Sequence, residues 1–166
     1  LQNIRMLKIK IKGKFITLQW EQYQETTSNW DNHTLMCADP PRPDLCTCMQ
    51  KMAHHIVQIC ELPEDDVNKI EARSVSLSYG EDGSGVVISG IKELESNVSP
   101  MCLNTPYKPE NAPEGMEECA MSCALQDDIE KLCEEAFRYI NGDRAQQNLF
   151  TDQEAEGEDK HEPEES

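Results

Sequence analysis

Met6-Leu7-Lys8-Ile9-Lys10-Ile11-Lys12-Gly13-Lys14-Phe15 is the stretch that decides the fold class. Leu7, Ile9 and Ile11 alternate with Lys8, Lys10 and Lys12. A period of two places the apolar set on one face of a strand and the lysines on the other. Such a strand has one side against a core and one side in water. Gly13 interrupts the pattern, and Ile16, Leu18 and Trp20 resume it in extended style. The segment predicts either one long bulged strand or a tight antiparallel pair.

Working outward, residues 21–44 are polar and read as a loop that ends in Asp39-Pro40-Pro41-Arg42-Pro43-Asp44. Proline suits the first turn of a helix, where its missing N–H costs nothing. A helix is expected at once: Leu45, Cys48, Met49, Met52, Ile56, Ile59 and Cys60 recur at helical spacing until Pro63 stops it. Val75, Leu77 and Tyr79 then alternate, Gly80-Glu81-Asp82-Gly83 supplies turn chemistry, and Val86 to Ile91 returns as the second arm of a hairpin. Met101 to Tyr107 reads as an edge strand closed by Pro106 and Pro109, and residues 108–117 as a linker. A second helix runs from about Glu118–Ser122 to Asn141. Its stripe is Leu125, Ile129, Leu132, Cys133, Ala136, Phe137 and Ile140, and Gly142 is a left-handed stop. The expected fold is α+β: a small antiparallel sheet covered on one face by two amphipathic helices.

Charge and composition bound the rest. The 166 residues hold 15 Lys+Arg against 32 Asp+Glu, a net charge of -17. Eight of the acids and Lys160 lie in residues 151–166, giving -7 there and leaving -10 for the rest. That segment shows no apolar periodicity. The expected organisation is one α+β domain over residues 1–142 and a flexible, disordered acidic tail over 143–166. An acidic balance argues against direct nucleic-acid binding and against a polybasic membrane binder, since both must meet phosphate with positive charge. No run of 18 apolar residues reads as a membrane span. Leu1 to Lys14 is basic but has no continuous apolar run of the signal-peptide kind, so a cytoplasmic location is the expectation. The eight cysteines then read as reduced thiols, several on helix faces, rather than a disulfide framework.

Candidate sites are few. Lys8, Lys10, Lys12 and Lys14 form a basic stripe that suits phosphates, with Trp20, Tyr23 and Trp30 as stacking surfaces. The plainer reading is a solvated edge strand whose lysines block edge-to-edge aggregation. Cys37, Cys46, Cys48, His33, Cys119 and Cys123 are the candidate zinc ligands; they lack two pairs at ligand spacing, so no metal site is expected. His54 and His55 have no acid at i±4 and read as solvated. No catalytic signature is present: neither G-x-S-x-G nor a P-loop, H-E-x-x-H or dinucleotide fingerprint. The chain therefore reads as non-enzymatic, with no catalytic residue and no cofactor.

Gln146-Gln147-Asn148-Leu149-Phe150 resembles the short peptide with which bacterial replication and repair proteins dock onto the sliding clamp. In that resemblance Gln146, Leu149 and Phe150 are the diagnostic positions, the apolar pair entering a pocket and the glutamine satisfying its rim. The alternative is that Leu149 and Phe150 fold back on the domain. The chain as a whole also resembles small bacteriophage and mobile-element early-region proteins, on Met6–Trp20, Pro41–Pro63, the Val75–Leu94 hairpin, Leu103-Asn104-Thr105-Pro106 and Arg144–Phe150. That resemblance implies a cytoplasmic accessory protein in a bacterial host, acting in DNA replication or recombination through protein–protein contacts. The rival function is counter-defence: an acidic nucleic-acid mimic, or a nucleotide sponge working through Lys8–Lys14, that blocks a host immune or nuclease factor. A homo-oligomer packed through the helices is a third reading.

Overall fold

The computed structural model describes residues 3–145. Seven strands and two helices follow the order β1 (Ile4–Lys12), β2 (Phe15–Gln24), β3 (Asn29–Cys37), α1 (Pro43–Ile59), β4 (Ile70–Gly80), β5 (Gly83–Lys92), β6 (Met101–Asn104), β7 (Lys108–Pro109) and α2 (Cys123–Ile140). The class is α+β. All pairings are antiparallel, in the order β3-β2-β1-β4-β5-β6, and β7 adds to β5.

The opening lysine segment is a tight pair. Lys12 opposes Phe15 across a two-residue turn, and Gly13 takes the left-handed φ of +58° that the turn requires. The alternation is not the one read from sequence. β1 carries a bulge between Met6 and Lys8, where the register with β2 shifts. One extra residue resets the faces, so Met6 joins Ile9 in the core and Leu7 is only half-buried. The lysines keep their common face.

Residues 21–44 are not a loop. Residues 21–24 continue β2, and β3 pairs with it along its whole length, from Gln24 opposite Asn29 to Ile16 opposite Cys37. Polar side chains hid this strand. β3 is the outer edge of the sheet, so it is solvated on one face and one flank, and His33, Leu35 and Cys37 on the other face are only half-buried. An edge strand needs little hydrophobic alternation when its neighbour supplies the ladder. This added strand pair moves β1 inward. β1 lies between β2 and β4, so Lys8 and Lys10, paired on both sides, do not protect an edge.

The chain leaves β3, crosses the sheet as α1 and re-enters as β4 beside β1. α1 and α2 pack on one face, where Met6, Ile9, Ile16, Leu18, Val75, Val86 and Ile88 meet Leu45, Met52, Ile56, Leu125, Leu132 and Ala136. Ser122 caps α2, its hydroxyl accepting from the Leu125 N–H at 3.2 Å. Tyr139, outside the stripe read from sequence, is fully buried and donates its hydroxyl to the Asp39 carbonyl at 2.6 Å. No helix of the described residues is long and apolar enough to cross a membrane.

Candidate functional site: the open face of the sheet

With both helices on one face, the other face belongs to whatever the alternation leaves over. Directly opposed residues of an antiparallel pair share a face. Lys8 stands between Gln19 of β2 and Ser76 of β4, and Lys10 between Thr17 and Ser74. The rows continue outward to Thr34 and Met36 on β3, and to Val87 and Ser89 on β5. Ser89 donates its hydroxyl to Asn104 of β6 at 2.7 Å. Lys10, Lys12, Lys14, Thr34 and Met36 are exposed. No acid stands in these rows, and none of the four lysines forms an ion pair among the described residues. In a chain of net charge -17 the face therefore carries a local cluster of uncompensated positive charge.

Each end of the stripe has aromatic side chains. Phe15 opposes Lys12 on the open face, is 58% exposed, and has the Lys14 ammonium 5.6 Å from its ring centre. Met36, 77% exposed, lies diagonally across from it. At the other end, Arg5 pairs with Glu21 at 2.6 Å and places its guanidinium 3.9 Å from the Trp30 ring and 4.8 Å from that of Tyr79. Tyr23 leans on Trp30 with ring centres 5.3 Å apart. Burial there pushes the Tyr79 phenol up to about 12. Arg5 is thus spent on partners within the fold, whereas Lys8 to Lys14 have no acid among the described residues and only Lys14 has an aromatic neighbour, Phe15.

The structure divides the proposed stacking residues. Tyr23 and Trp30 form the Arg5 cluster. Trp20 opposes the buried Met6, packs against the core and stacks on His33 at 5.3 Å. It lies on the face away from the lysines. Sequence reading missed Phe15, although its position directly after Lys14 at the turn is the signal that would have found it.

The other candidates are scattered or engaged. Among the described residues no three His, Cys, Asp or Glu side chains converge as a metal-binding group. All eight cysteines are unpaired. Cys37 accepts from Arg144 Nη1 at 3.3 Å. Burial raises the thiols of Cys48 and Cys60, and pushes that of Cys133 up to about 12. A thiol so displaced is protonated at neutral pH and is a poor nucleophile. His54 is exposed, as its spacing implies, but His55 is buried, and its Nε2 lies 2.8 Å from Asp128 Oδ2 on α2. The expectation of a solvated His55 failed because its partner comes from another helix, which i±4 arithmetic does not reveal.

Gln146, Leu149 and Phe150 lie outside the described residues. The chain leading to them is held at one corner of the sheet. Arg144 pairs with Asp39, and the Ala145 N–H donates to the Pro40 carbonyl at 3.1 Å. Pro40 follows β3 just beyond Cys37, which is in register with Ile16 and through it with Ile11. The described chain therefore ends at the Lys12–Lys14 end of the stripe. No protein-family model, no curated protein and no solved structure matches this chain.

Proposed function

We propose that the chain is a non-enzymatic accessory protein of bacteriophage DNA replication or recombination whose contact surface is the open face of the sheet, where Lys8, Lys10, Lys12 and Lys14 take a phosphate-bearing partner. One observation carries this reading. The four lysines lie along a central strand and the turn that follows it, on the face away from both helices, with no described acid paired to them. That placement counts against the edge-protection explanation for Lys8 and Lys10, which are paired on both sides. It also bears on the argument from net charge: a local positive field decides contact at short range, and distant acids are screened over about 10 Å at ordinary salt.

The test uses sodium tripolyphosphate as a bare phosphate probe and backbone amide shifts as the readout. Shifts are expected along β1 and at its neighbours Thr17, Gln19, Ser74 and Ser76, and replacing all four lysines with glutamine should remove them. Shifts confined to other surfaces, or none, would sink the assignment.

A second contact is carried by sequence alone. The Gln146-Gln147-Asn148-Leu149-Phe150 resemblance supports a sliding-clamp partner, and the peptide begins directly after the Ala145–Pro40 contact. A peptide of residues 143–153 should bind a bacterial clamp, and Leu149→Ala with Phe150→Ala should abolish it.

A further inference from the structure

We infer that the partner of the open face is a single-stranded nucleic acid, its backbone phosphates on Lys8, Lys10, Lys12 and Lys14 and a base stacked on Phe15. The inference rests on the phosphate reading above and narrows it.

Three features separate an extended polynucleotide from a mononucleotide. The first is spacing. Alternate residues of an antiparallel strand are about 6.8 Å apart, so the three strand lysines form a straight row about 14 Å long. That interval is close to the separation of successive phosphates along an extended polynucleotide backbone, whereas the phosphates of one nucleotide crowd around a single point. The second is shape. Small-molecule sites are concave and bury most of their ligand, but the stripe lies on an open pleated surface. A substantial groove, of about 330 Å³, lies elsewhere, between the β4–β5 hairpin and α2, and is lined by residues such as Leu77, Tyr79, Ile129 and Cys133.

The third is the exposed ring. Phe15 is an outlying aromatic on the lysine face, beside the last lysine pair, with Met36 within diagonal reach. Leaving a large apolar ring in water beside uncompensated cations has little use for folding. It is the pairing that sequence-tolerant single-strand binders use, with cations tracking the backbone and a π-face for any base. The hydroxyl and amide groups of Thr17, Gln19, Thr34 and Ser76 flank the row and offer hydrogen bonds to sugar and phosphate oxygens. Duplex DNA fits less well, because a paired base cannot reach Phe15 without leaving its stack.

The two contacts have different experimental signatures. Binding of the full chain to a fluorescein-labelled 20-mer of deoxythymidylate is measured by anisotropy at several salt concentrations. Four lysine–phosphate contacts predict a slope of about -2.8 in log K against log salt, or about 50-fold weaker binding at 200 mM than at 50 mM. Lys10→Gln with Lys12→Gln should halve that slope, to about -1.4. Phe15→Ala should weaken binding by about 5- to 150-fold and leave the slope intact. Inorganic polyphosphate and ATP serve as competitors. If polyphosphate competes as well as the oligonucleotide and Phe15→Ala changes nothing, the face is a polyanion surface without base contact. If ATP binds as tightly as the 20-mer, the site takes a nucleotide and the sponge form of counter-defence gains. Either result overturns the single-strand assignment while the phosphate reading stands. If neither the oligonucleotide nor tripolyphosphate binds, both fail.

Discussion

The two faces of this sheet are made by the same strands and obey opposite rules. On the helix side Met6, Ile9, Leu18, Val75 and Ile88 are buried to 1% exposure or less. On the open side the same strands present Lys8, Lys10, Thr17, Gln19 and Ser76. The covered face is where removing surface from water stabilises the fold, at about 25 cal/mol per Å² of apolar area. The open face contributes little to that term, so its residue types are free to serve something else. A face that folding does not constrain, yet carries a cationic row and an exposed ring, is where a contact surface is expected.

The comparison breaks first if the faces are energetically alike, and the bulge gives the sharpest test. Met6→Ala or Ile9→Ala should each cost about 2–5 kcal/mol in urea unfolding, the range for truncating a fully buried aliphatic side chain. Leu7→Ala, at the bulge itself and only half-buried, should cost clearly less than Met6→Ala. Read from simple alternation, the order of those two would be reversed. A larger loss at Leu7 would mean that the register shift between Met6 and Lys8 is wrong.

Below this come the contacts that hold the covered face together. Gly90 lies opposite Ala72 beside the β4 irregularity, and a Cβ there would sit 2.4 Å from the Glu71 carbonyl oxygen. Backbone cannot swing away, so Gly90→Ala should cost about 1–3 kcal/mol. Gly85→Ala should cost less. Its Cβ would meet the Tyr107 ring, and that ring is half exposed and can move. Asp128→Ala leaves the buried His55 without its partner and should cost about 1–3 kcal/mol. Paired with His55→Ala in a double-mutant cycle it should be markedly non-additive, because the two side chains form one contact between α1 and α2.

Legibility in the sequence follows the same division. Both helices could be read, since a stripe at helical spacing reports one buried face, and α1 and α2 bury theirs. The β4–β5 hairpin was readable from Gly80-Glu81-Asp82-Gly83, whose glycines face each other across the turn. β3 was not, because an edge strand defined by a neighbour's backbone leaves little trace in its side chains. The lysine row was visible, but its meaning depended on whether β1 was central or marginal. That in turn depended on β3. Trp20 was offered as a stacking surface although its alternation with Ile16 and Leu18 already sets it on the core side, and His55 was misread for want of a partner 73 residues away.

A smaller effect concerns the groove side of α2. A thiol in the unfolded chain ionises near 9.0, and burial in the fold pushes Cys133 up to about 12. A folded value above the unfolded one means stability that is complete below about pH 9 and is lost as pH rises towards 12. By pH 10 this should remove about 1 kcal/mol of unfolding free energy, and Cys133→Ala should flatten that part of the profile. An unchanged profile would show that Cys133 is better solvated than its packing implies.

The smallest expected effect is at the lysines themselves, and it decides whether the open face is free. Lys10→Gln with Lys12→Gln removes no buried area and breaks no ion pair among the described residues. Stability should therefore stay within about 0.5 kcal/mol of the parent chain. The sign should be a slight gain, because removing two of four neighbouring like charges relieves repulsion along the row while distant acids are screened. Salt separates that cause from a structural one. At 0.5 M sodium chloride the Debye length falls well below 10 Å, so a charge effect should vanish while a packing effect persists. A loss above about 1.5 kcal/mol that survives high salt would make the lysine row part of what folds the sheet. It would then need no partner to explain it, and the contrast between the two faces would no longer point to function.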